Sequence, residues 1–338
     1  MKSAIIIFGN LRTFFMPTRE NKSIRVCDIL LNNIINQNNS DIFISTDTND
    51  FYLNGSQYFH SNTIDIVNND PFRLYNNVSF IQPNEAKTLI CSELNKLLGN
   101  RIKGIIINSS NEDYTNDPKF KLLSDSGLGG SSPRMIVAQY KGLICCDDMI
   151  KSYETINNFK YDVIMKCRFD AMYDSNSKLN FNNYDFNKTD VFVPTIRSPI
   201  IYDFFAFGNS KGMTPYLRMY ENLGCMLPNK MLMAECRRDG NIIVFGESID
   251  TNKKCKICNT SDKISVGDVS ISSEYHIYYL FNKLGIKYSQ AGLHTFVYRY
   301  RNVEYDKTVD EIIRNELKLN NIKLINHSPG NKSESREF

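Results

Sequence analysis

The segment 161–170, Tyr-Asp-Val-Ile-Met-Lys-Cys-Arg-Phe-Asp, constrains the fold more than any other part of the sequence. Its apolar residues are typical of a buried strand, which ends in an Arg-x-Asp motif formed by Arg168 and Asp170. Because side chains alternate between the two faces of a strand, we expect Lys166, Arg168 and Asp170 to share one face. Open α/β sheets bind ligands at the carboxyl ends of their strands, so these charges favour a phosphorylated ligand, with or without a metal ion. A surface ion pair at an ordinary strand end is the alternative.

The composition describes a globular protein and excludes several classes. A chain of 338 residues accommodates one large α/β domain with insertions or two closely packed domains. A net charge of +3 is too small to indicate binding to nucleic acid. The apolar run 4–8 is too short for a signal peptide, and no stretch reaches the roughly 18 apolar residues of a membrane span. We therefore expect a soluble, cytoplasmic protein whose nine cysteines are reduced thiols.

The start of the chain predicts a β-α-β unit. The continuous apolar run 4–8, bounded by Gly9 and Asn10, indicates a strand buried on both faces of a parallel sheet. Apolar residues then recur at helical spacing between 24 and 35, and the segment 41–46 predicts a second strand. A third strand is expected at 78–81.

The order of helix followed by strand returns later in the chain. The glycine-rich segment 124–133 ends in Ser132 and Pro133, which predict an N-cap and the first turn of a helix that runs to about residue 154. Further predicted elements are strands at 190–194 and 202–207, a helix at 211–223, a helix at 273–284 ended by Gly285, an edge strand at 294–301, and a helix with a disordered tail beyond 303. Together they predict an α/β protein with a mostly parallel sheet flanked by helices.

Several common catalytic motifs are missing from the sequence. It contains no Walker A sequence, no dinucleotide-binding glycine fingerprint and no Gly-x-Ser-x-Gly elbow, and its four histidines are scattered. Cys255 and Cys258 have the spacing of half a zinc site, which Cys225 or Cys236 would have to complete. Because a second Cys-x-x-Cys pair is missing, unpaired thiols in a loop are the favoured interpretation.

The loop after the first strand is a second candidate for ligand binding. Gly9 lets the backbone approach a ligand closely, and the arginine fork of Arg12 matches a diphosphate. A plain turn with a solvated arginine is the alternative. We expect Arg12 and Asp170 to face one cleft, and positions on opposite edges of the sheet would exclude a shared site.

Two further acidic residues are candidates for catalysis. Glu274, in the first turn of the last predicted helix, is either a catalytic base or a partner of the helix dipole. Asp203 lies in an aromatic segment, where a polar residue needs a reason. It either binds a substrate hydroxyl group or belongs to a buried hydrogen-bonded turn.

The sequence resembles a family of GT-A type glycosyltransferases found in bacterial surface-polysaccharide clusters and in large DNA viruses, including the WavE-type lipopolysaccharide synthesis proteins. The matching segments are 5–14, 41–46, Gln139-Tyr140, Tyr153-Glu154, 161–170, 203–208 and Ser273-Glu274. Each segment is short and degenerate, whereas their order and spacing from about residue 1 to 300 are more specific.

The resemblance implies a GT-A domain over 1–302, with a nucleotide-sugar-binding part at 1–170 and an acceptor-side part at 171–302, followed by a C-terminal helix and polar tail at 303–338. The expected partners are a nucleotide-sugar donor and a glycan acceptor. Asp170 takes the place of the carboxylate that reaches a divalent cation, Mn²⁺ or Mg²⁺, in most GT-A enzymes. Arg168 replaces the second carboxylate of that motif, so its positive charge can neutralise the leaving diphosphate directly.

The resemblance also implies the roles of individual residues. Expected catalytic residues are Asp170, Glu274 and Asp203, with Asp170 as the metal ligand and Glu274 as the base of an inverting reaction. Expected donor-binding residues are Gly9, Asn10, Arg12, Thr46, Arg134, Gln139, Lys166 and Arg168. A non-catalytic nucleotide-sugar or glycan-binding protein with the same fold is the alternative from another class. A nucleotidyltransferase acting on sugar phosphates is a third hypothesis.

Overall fold

The computed structural model describes most of the first 226 residues and several shorter parts of the remainder. The described residues are 1–18, 23–48, 50–53, 56–60, 78–108, 114–125, 133–173, 178–197, 200–226, 233–236, 242–245, 273–293, 295–297, 324–326 and 334–336. The predictions for Cys255 and Cys258, and for most of the segment beyond 303, lie outside them.

The strands of the described part are numbered in chain order. They are β1 (Ser3–Phe8), β2 (Asp41–Asp47), β3 (Asp50–Leu53), β4 (Ser56–His60), β5 (Val78–Ile81), β6 (Ile102–Asn108), β7 (Val163–Arg168), β8 (Ala171–Tyr173), β9 (Val191–Val193), β10 (Ile196–Arg197), β11 (Ile200–Ile201), β12 (Phe205–Gly208), β13 (Met233–Cys236), β14 (Ile242–Phe245), β15 (Tyr288–Gln290), β16 (Thr295–Val297), β17 (Leu324–Asn326) and β18 (Glu334–Arg336).

The helices of the described part are numbered in the same way. They are α1 (Val26–Leu30), a π-helical turn (Leu31–Ile35), α2 (Asn36–Asn38), α3 (Pro83–Leu98), α4 (Pro118–Asp125), α5 (Pro133–Ile156), α6 (Ser210–Leu217), α7 (Met219–Met226) and α8 (Ser273–Leu284), with short 3-10 turns at Gly99–Arg101 and Phe181–Asn183. None of these helices combines the length and the apolar character needed to cross a membrane.

Seven strands form the main sheet in the order β15-β9-β12-β7-β1-β2-β6. Strands β7, β1, β2 and β6 run parallel to one another. Strand β12 runs antiparallel to both β7 and β9, and β15 is parallel to β9. The expected α/β architecture with a mostly parallel sheet flanked by helices is therefore confirmed.

The central strands are buried on both faces, as their continuous apolar sequences predict. In β1, Ile5 and Ile7 pack into one core with helices α1 and α3, while Ala4 and Ile6 pack into the other core with helices α5 to α8. Each fully buried isoleucine of this kind contributes about 1.5–3 kcal/mol to stability. The sheet is thus the middle of three layers, and its strand ends are the places open to a ligand.

The structure confirms several predicted elements and corrects others. Strands β1, β2 and β7, the start of α5 at Pro133, and α8 are confirmed. The strand expected at 78–81 exists as β5, but it pairs with β4 in a separate three-stranded sheet, and β6 takes the place beside β2. The strand expected at 202–207 begins only at Phe205, so Asp203 lies in the loop between β11 and β12. The helix expected at 211–223 consists of α6 and α7, which meet at Arg218.

Candidate functional site

The order in which strands are added to the sheet reverses between β1 and β7, whose carboxyl ends are neighbours. From β1 it continues to β2 on one side, and it later returns to β7 on the other side of β1. Phe8 and Arg168, the last residues of the two strands, are paired in register. In open α/β sheets the crevice at such a reversal is the usual ligand site, because the connections leave in opposite directions there.

The loop after β1 is held in a fixed conformation by backbone hydrogen bonds. The amide of Gly9 donates to the carbonyl of Ser45 at 3.0 Å, and the Thr46 hydroxyl donates to the carbonyl of Gly9 at 2.8 Å. The amide of Tyr52 donates to the carbonyl of Arg12 at 3.0 Å. Arg12 has a φ of 36°, a left-handed conformation that costs a non-glycine residue about 1 kcal/mol or more. The loop thus holds Arg12 in a strained position beside the crevice.

Arg168 and Asp170 form a bidentate ion pair at the end of β7. Arg168 donates from Nε to Oδ1 of Asp170 at 2.7 Å and from Nη2 to Oδ2 at 2.8 Å. Nη1 of Arg12 lies 3.5 Å from the same Oδ2. The Asp170 side chain is 4% exposed, whereas those of Arg168 and Arg12 are 23% and 32% exposed. Arg12 and Asp170 therefore lie at the same edge of the sheet, so the arrangement that would have excluded a shared site is not found, and the shared cleft itself stays a prediction.

Asp203 joins three elements behind this ion pair. Its Oδ2 accepts hydrogen bonds from Ser273 at 2.7 Å and from Gln139 at 2.9 Å, and its Oδ1 lies 3.7 Å from Nη1 of Arg168. Burial acts to raise the pKa of Asp203, but the charges of Lys166 and Arg168 and the two hydrogen bonds hold it below its usual range. The carboxylate is 2% exposed, so the buried hydrogen-bonded turn is the better interpretation, and the expected catalytic role is not supported.

Lys166 is fully buried, which corrects its expected role in contacting the donor. Its Nζ donates to the backbone carbonyl of Asp203 and lies 4.5 Å from the ring centre of Phe8 and 5.7 Å from that of Tyr216. Burial lowers the pKa of Lys166 to about 8, although the charge of Asp203 opposes this shift. Lys166 thus contacts the backbone of Asp203 inside the protein and presents no exposed surface to a ligand.

A buried pair of aromatic residues lies beside Asp203 and was not predicted from the sequence. The hydroxyl oxygen of Tyr140 lies 2.5 Å from Nδ1 of His276. Burial lowers the pKa of His276 to about 4 and raises that of Tyr140 well above its usual range, so at neutral pH a neutral phenol and a neutral imidazole share this hydrogen bond, and the tautomer of the imidazole sets its direction. Because Tyr140 follows Gln139 in α5 and His276 lies in α8 shortly after Ser273, this pair fixes the two helices that hold Asp203. Its sequence signal was the pairing of Gln139 with Tyr140 in one motif.

The remaining predicted residues lie at different distances from this centre. Glu274 is half-buried, with Oε2 3.5 Å from the Ser273 hydroxyl, and its charge contributes to the raised pKa of Arg168. Asn10 is half-buried in the loop after β1. Arg134 is exposed in the first turn of α5, and none of the described contacts joins it to the site.

The residues around Asp170 do not fit a divalent cation. In nucleotide sites Mg²⁺ is usually held by one or two carboxylates together with substrate phosphates and waters, and the described residues contain no group of three or more histidine, cysteine, aspartate or glutamate residues that could hold a metal ion by themselves. Both carboxylate oxygens of Asp170 already contact guanidinium groups. The expected role of Asp170 as a metal ligand is therefore not supported by its surroundings.

No protein-family model matches the chain, and no curated protein matches it. The resemblance to GT-A glycosyltransferases therefore rests on the sequence motifs, and the functional argument rests on the geometry of the site.

Proposed function

We propose that this protein is a glycosyltransferase that moves a sugar from a nucleoside-diphosphate sugar to a hydroxyl group of a glycan or similar acceptor. The observation that carries this proposal is the convergence of Arg12 and Arg168 where β1 and β7 end, at the reversal of the sheet. Arginine forks match phosphate oxygens in two-point geometry, and the crevice at such a reversal is where α/β folds bind nucleotides.

The two guanidinium groups supply the chemistry that this reaction needs most. As the bond between the sugar and the phosphate breaks, negative charge accumulates on the leaving nucleoside diphosphate. Arg12 and Arg168 keep about a third and a quarter of their side chains exposed, so both can donate to that anion. Each charge-assisted hydrogen bond contributes about 1.5–3 kcal/mol. Glu274 is the proposed base or acceptor ligand in an inverting reaction.

The two parts of the proposed domain divide the substrates between them. The part at 1–170 supplies Arg12 and Arg168 and is proposed to bind the donor. The part at 171–302 supplies Glu274 at the start of α8 and is proposed to face the acceptor. Gly9, with a φ of 101°, lets the backbone after β1 pass close to the nucleotide.

A thermal-shift screen against a panel of nucleotide sugars tests the proposal, because a ligand that binds the folded state raises the unfolding midpoint. Donors that bind are then assayed for release of a nucleoside diphosphate. Arg12→Gln and Arg168→Gln should each weaken donor binding about tenfold or more. Arg25→Gln is the matched control, since Arg25 forms a similar bidentate pair with Asp28 at the start of α1. The absence of binding across the panel, or an equal loss in the control, would overturn the proposal.

A non-catalytic nucleotide-sugar or glycan-binding protein is the second candidate. It is favoured by the engagement of Asp170 and Asp203 in ion pairs and hydrogen bonds, which argues against either carboxylate as a catalytic base. Donor binding without hydrolysis or transfer would support this second function. Release of pyrophosphate would instead identify a nucleotidyltransferase.

A further inference from the structure

The guanidinium group of Arg168 is held on one edge by Asp170, and its side chain is partly exposed. Of its five N–H groups, one on Nε and one on Nη2 donate to Asp170. Nη1 lies 3.7 Å from Oδ1 of Asp203, which is too long for a hydrogen bond. Among the described contacts, therefore, Nη1 donates no hydrogen bond, and the side chain remains 23% exposed. Arg168 thus keeps N–H donors beyond the two that bind Asp170, and a ligand at the exposed part of the side chain need not displace Asp170.

Asp170 is placed to orient arginines rather than to bind a cation. Its side chain is 4% exposed, and both of its oxygens contact guanidinium groups. A metal ion ligated by Asp170 would compete with the bonds of 2.7 and 2.8 Å to Arg168 for the lone pairs of the same two oxygens. Loss of the partner of a buried charge destabilises the folded protein by about 3–5 kcal/mol, and by somewhat less here because Arg168 is partly exposed. The incoming cation would also lie beside two positive charges.

The electrostatics at the exposed end of the site favour an anion. The guanidinium groups of Arg12 and Arg168 both contact the carboxylate of Asp170, and the buried carboxylate of Asp203 lies 3.7 Å from Nη1 of Arg168. The charge of Lys166 lies behind them, against the backbone carbonyl of Asp203. A diphosphate offers several oxygens in the geometry that arginine forks recognise, and it can neutralise this positive charge without help from a metal ion.

We infer that the site binds the diphosphate of its ligand directly through Arg12 and Arg168, without a bridging divalent cation, and that Asp170 is the positioning residue for both guanidinium groups. The inference rests on the proposed function, since it concerns the diphosphate of a nucleotide sugar. It assigns to Asp170 a role opposite to that of a metal ligand, because Asp170 binds the cationic side chains that take the place of the metal.

The first experiment uses the full-length wild-type protein. Calorimetric titrations with uridine diphosphate, guanosine diphosphate and inorganic pyrophosphate are carried out in EDTA and again in excess Mn²⁺. We expect at least one of these anions to bind, with dissociation constants that agree within about threefold between the two conditions. Electron paramagnetic resonance of Mn²⁺ alone should show no site that depends on Asp170. Diphosphate binding that requires Mn²⁺, or a Mn²⁺ site that Asp170→Asn abolishes, would overturn the inference.

Variants then test the positioning role. Asp170→Asn keeps the shape of the side chain but loses the charged fork, so diphosphate affinity in EDTA should fall about tenfold or more. Asp170→Glu keeps the carboxylate and should therefore bind diphosphate more tightly than Asp170→Asn does. Addition of Mn²⁺ to Asp170→Asn should restore none of the lost affinity. Asp28→Asn is the matched control, because Asp28 accepts from Arg25 at 3.1 and 2.8 Å in the same two-point geometry. Circular dichroism confirms that each variant is folded.

The outcomes separate this inference from the proposed function. Metal-independent diphosphate binding without turnover would support the inference and contradict the transferase. Turnover that depends strictly on Mn²⁺ would contradict the inference and leave the transferase standing. Failure of every diphosphate to bind in both conditions would overturn both, whereas an affinity unchanged in Asp170→Asn would overturn the positioning role alone.

Discussion

Replacement of the buried His276 by glutamine should remove much of the acid sensitivity of this protein. His276 is 2% exposed, and burial lowers its pKa from 6.5 to about 4. Because the unfolded chain binds the proton more readily, the folded state is favoured above pH 6.5 and loses that advantage as the pH falls towards 4. The two pKa values give a loss of about 1 kcal/mol between about pH 7 and 5.5, and about 2.5 kcal/mol by about pH 4.5.

Urea unfolding of the wild type and of His276→Gln at these three pH values measures the effect. The glutamine amide can donate to or accept from the Tyr140 hydroxyl, whose oxygen lies 2.5 Å from Nδ1 of His276, but it does not titrate. The stability of the wild type relative to the variant should therefore decrease with falling pH by the amounts given above. Parallel losses of stability in the two proteins would refute the reasoning, since other groups titrate equally in both.

Three further substitutions test the fold and the site. Gly208→Ala should lower the free energy of unfolding in urea by about 3 kcal/mol or more, because a Cβ there would lie 2.1 Å from the carbonyl oxygen of Asp190. Gly142→Ala is the milder control, since its Cβ would lie 3.1 Å from the nearest atom. Equal unfolding midpoints for the two variants would contradict this packing. Arg12→Gly should be about 1 kcal/mol more stable than Arg12→Ala, because the φ of 36° at this position strains any residue except glycine. Both variants should bind diphosphate weakly. A higher unfolding temperature for Arg12→Ala would contradict the backbone strain. Lys166→Met should lower the free energy of unfolding by about 3 kcal/mol at neutral pH, because it removes one of the two cations whose charges act on the buried Asp203 carboxylate. Equal stability in urea unfolding would show that relief from the desolvation that lowers the pKa of Lys166 to about 8 offsets this loss.

The elements that the sequence predicted well are those with a strong local burial signal. The continuous apolar runs of β1, β2 and β7 have to be buried on both faces, and Pro133 marks a helix start by its fixed φ. Strand β6 was not predicted, although its Ile-Ile-Ile run at 105–107 is as apolar as β1. The start of β12 was placed too early, because tyrosine and phenylalanine are as compatible with a buried loop as with a strand.

The candidate site was predictable where it depends on topology and unpredictable where it depends on packing. Arg12 and Asp170 follow parallel strands, and such strands have their carboxyl ends at one edge of a sheet, so their proximity could be expected. The roles of Lys166 and Asp203 depend on α8 packing over a loop more than 60 residues away in the chain, since Asp203 accepts from Ser273. A local sequence pattern does not indicate a contact of that kind. Lys166 was therefore expected to face a ligand, whereas the structure buries it.

The burial of Lys166 and Asp203 itself argues that this centre is more than a structural element. Buried ion pairs rarely stabilise a fold relative to apolar residues of similar size, because the cost of desolvation offsets the attraction between the charges. A strand that served only the core would carry an apolar residue at position 166, as it does at the neighbouring Met165 and Cys167. The charges do one thing that apolar residues cannot do, which is to hold Arg168 in a single orientation through Asp203 and Asp170. An oriented, partly exposed guanidinium group at the reversal of a sheet has the properties of a binding group, and its orientation is what the buried charges around it provide.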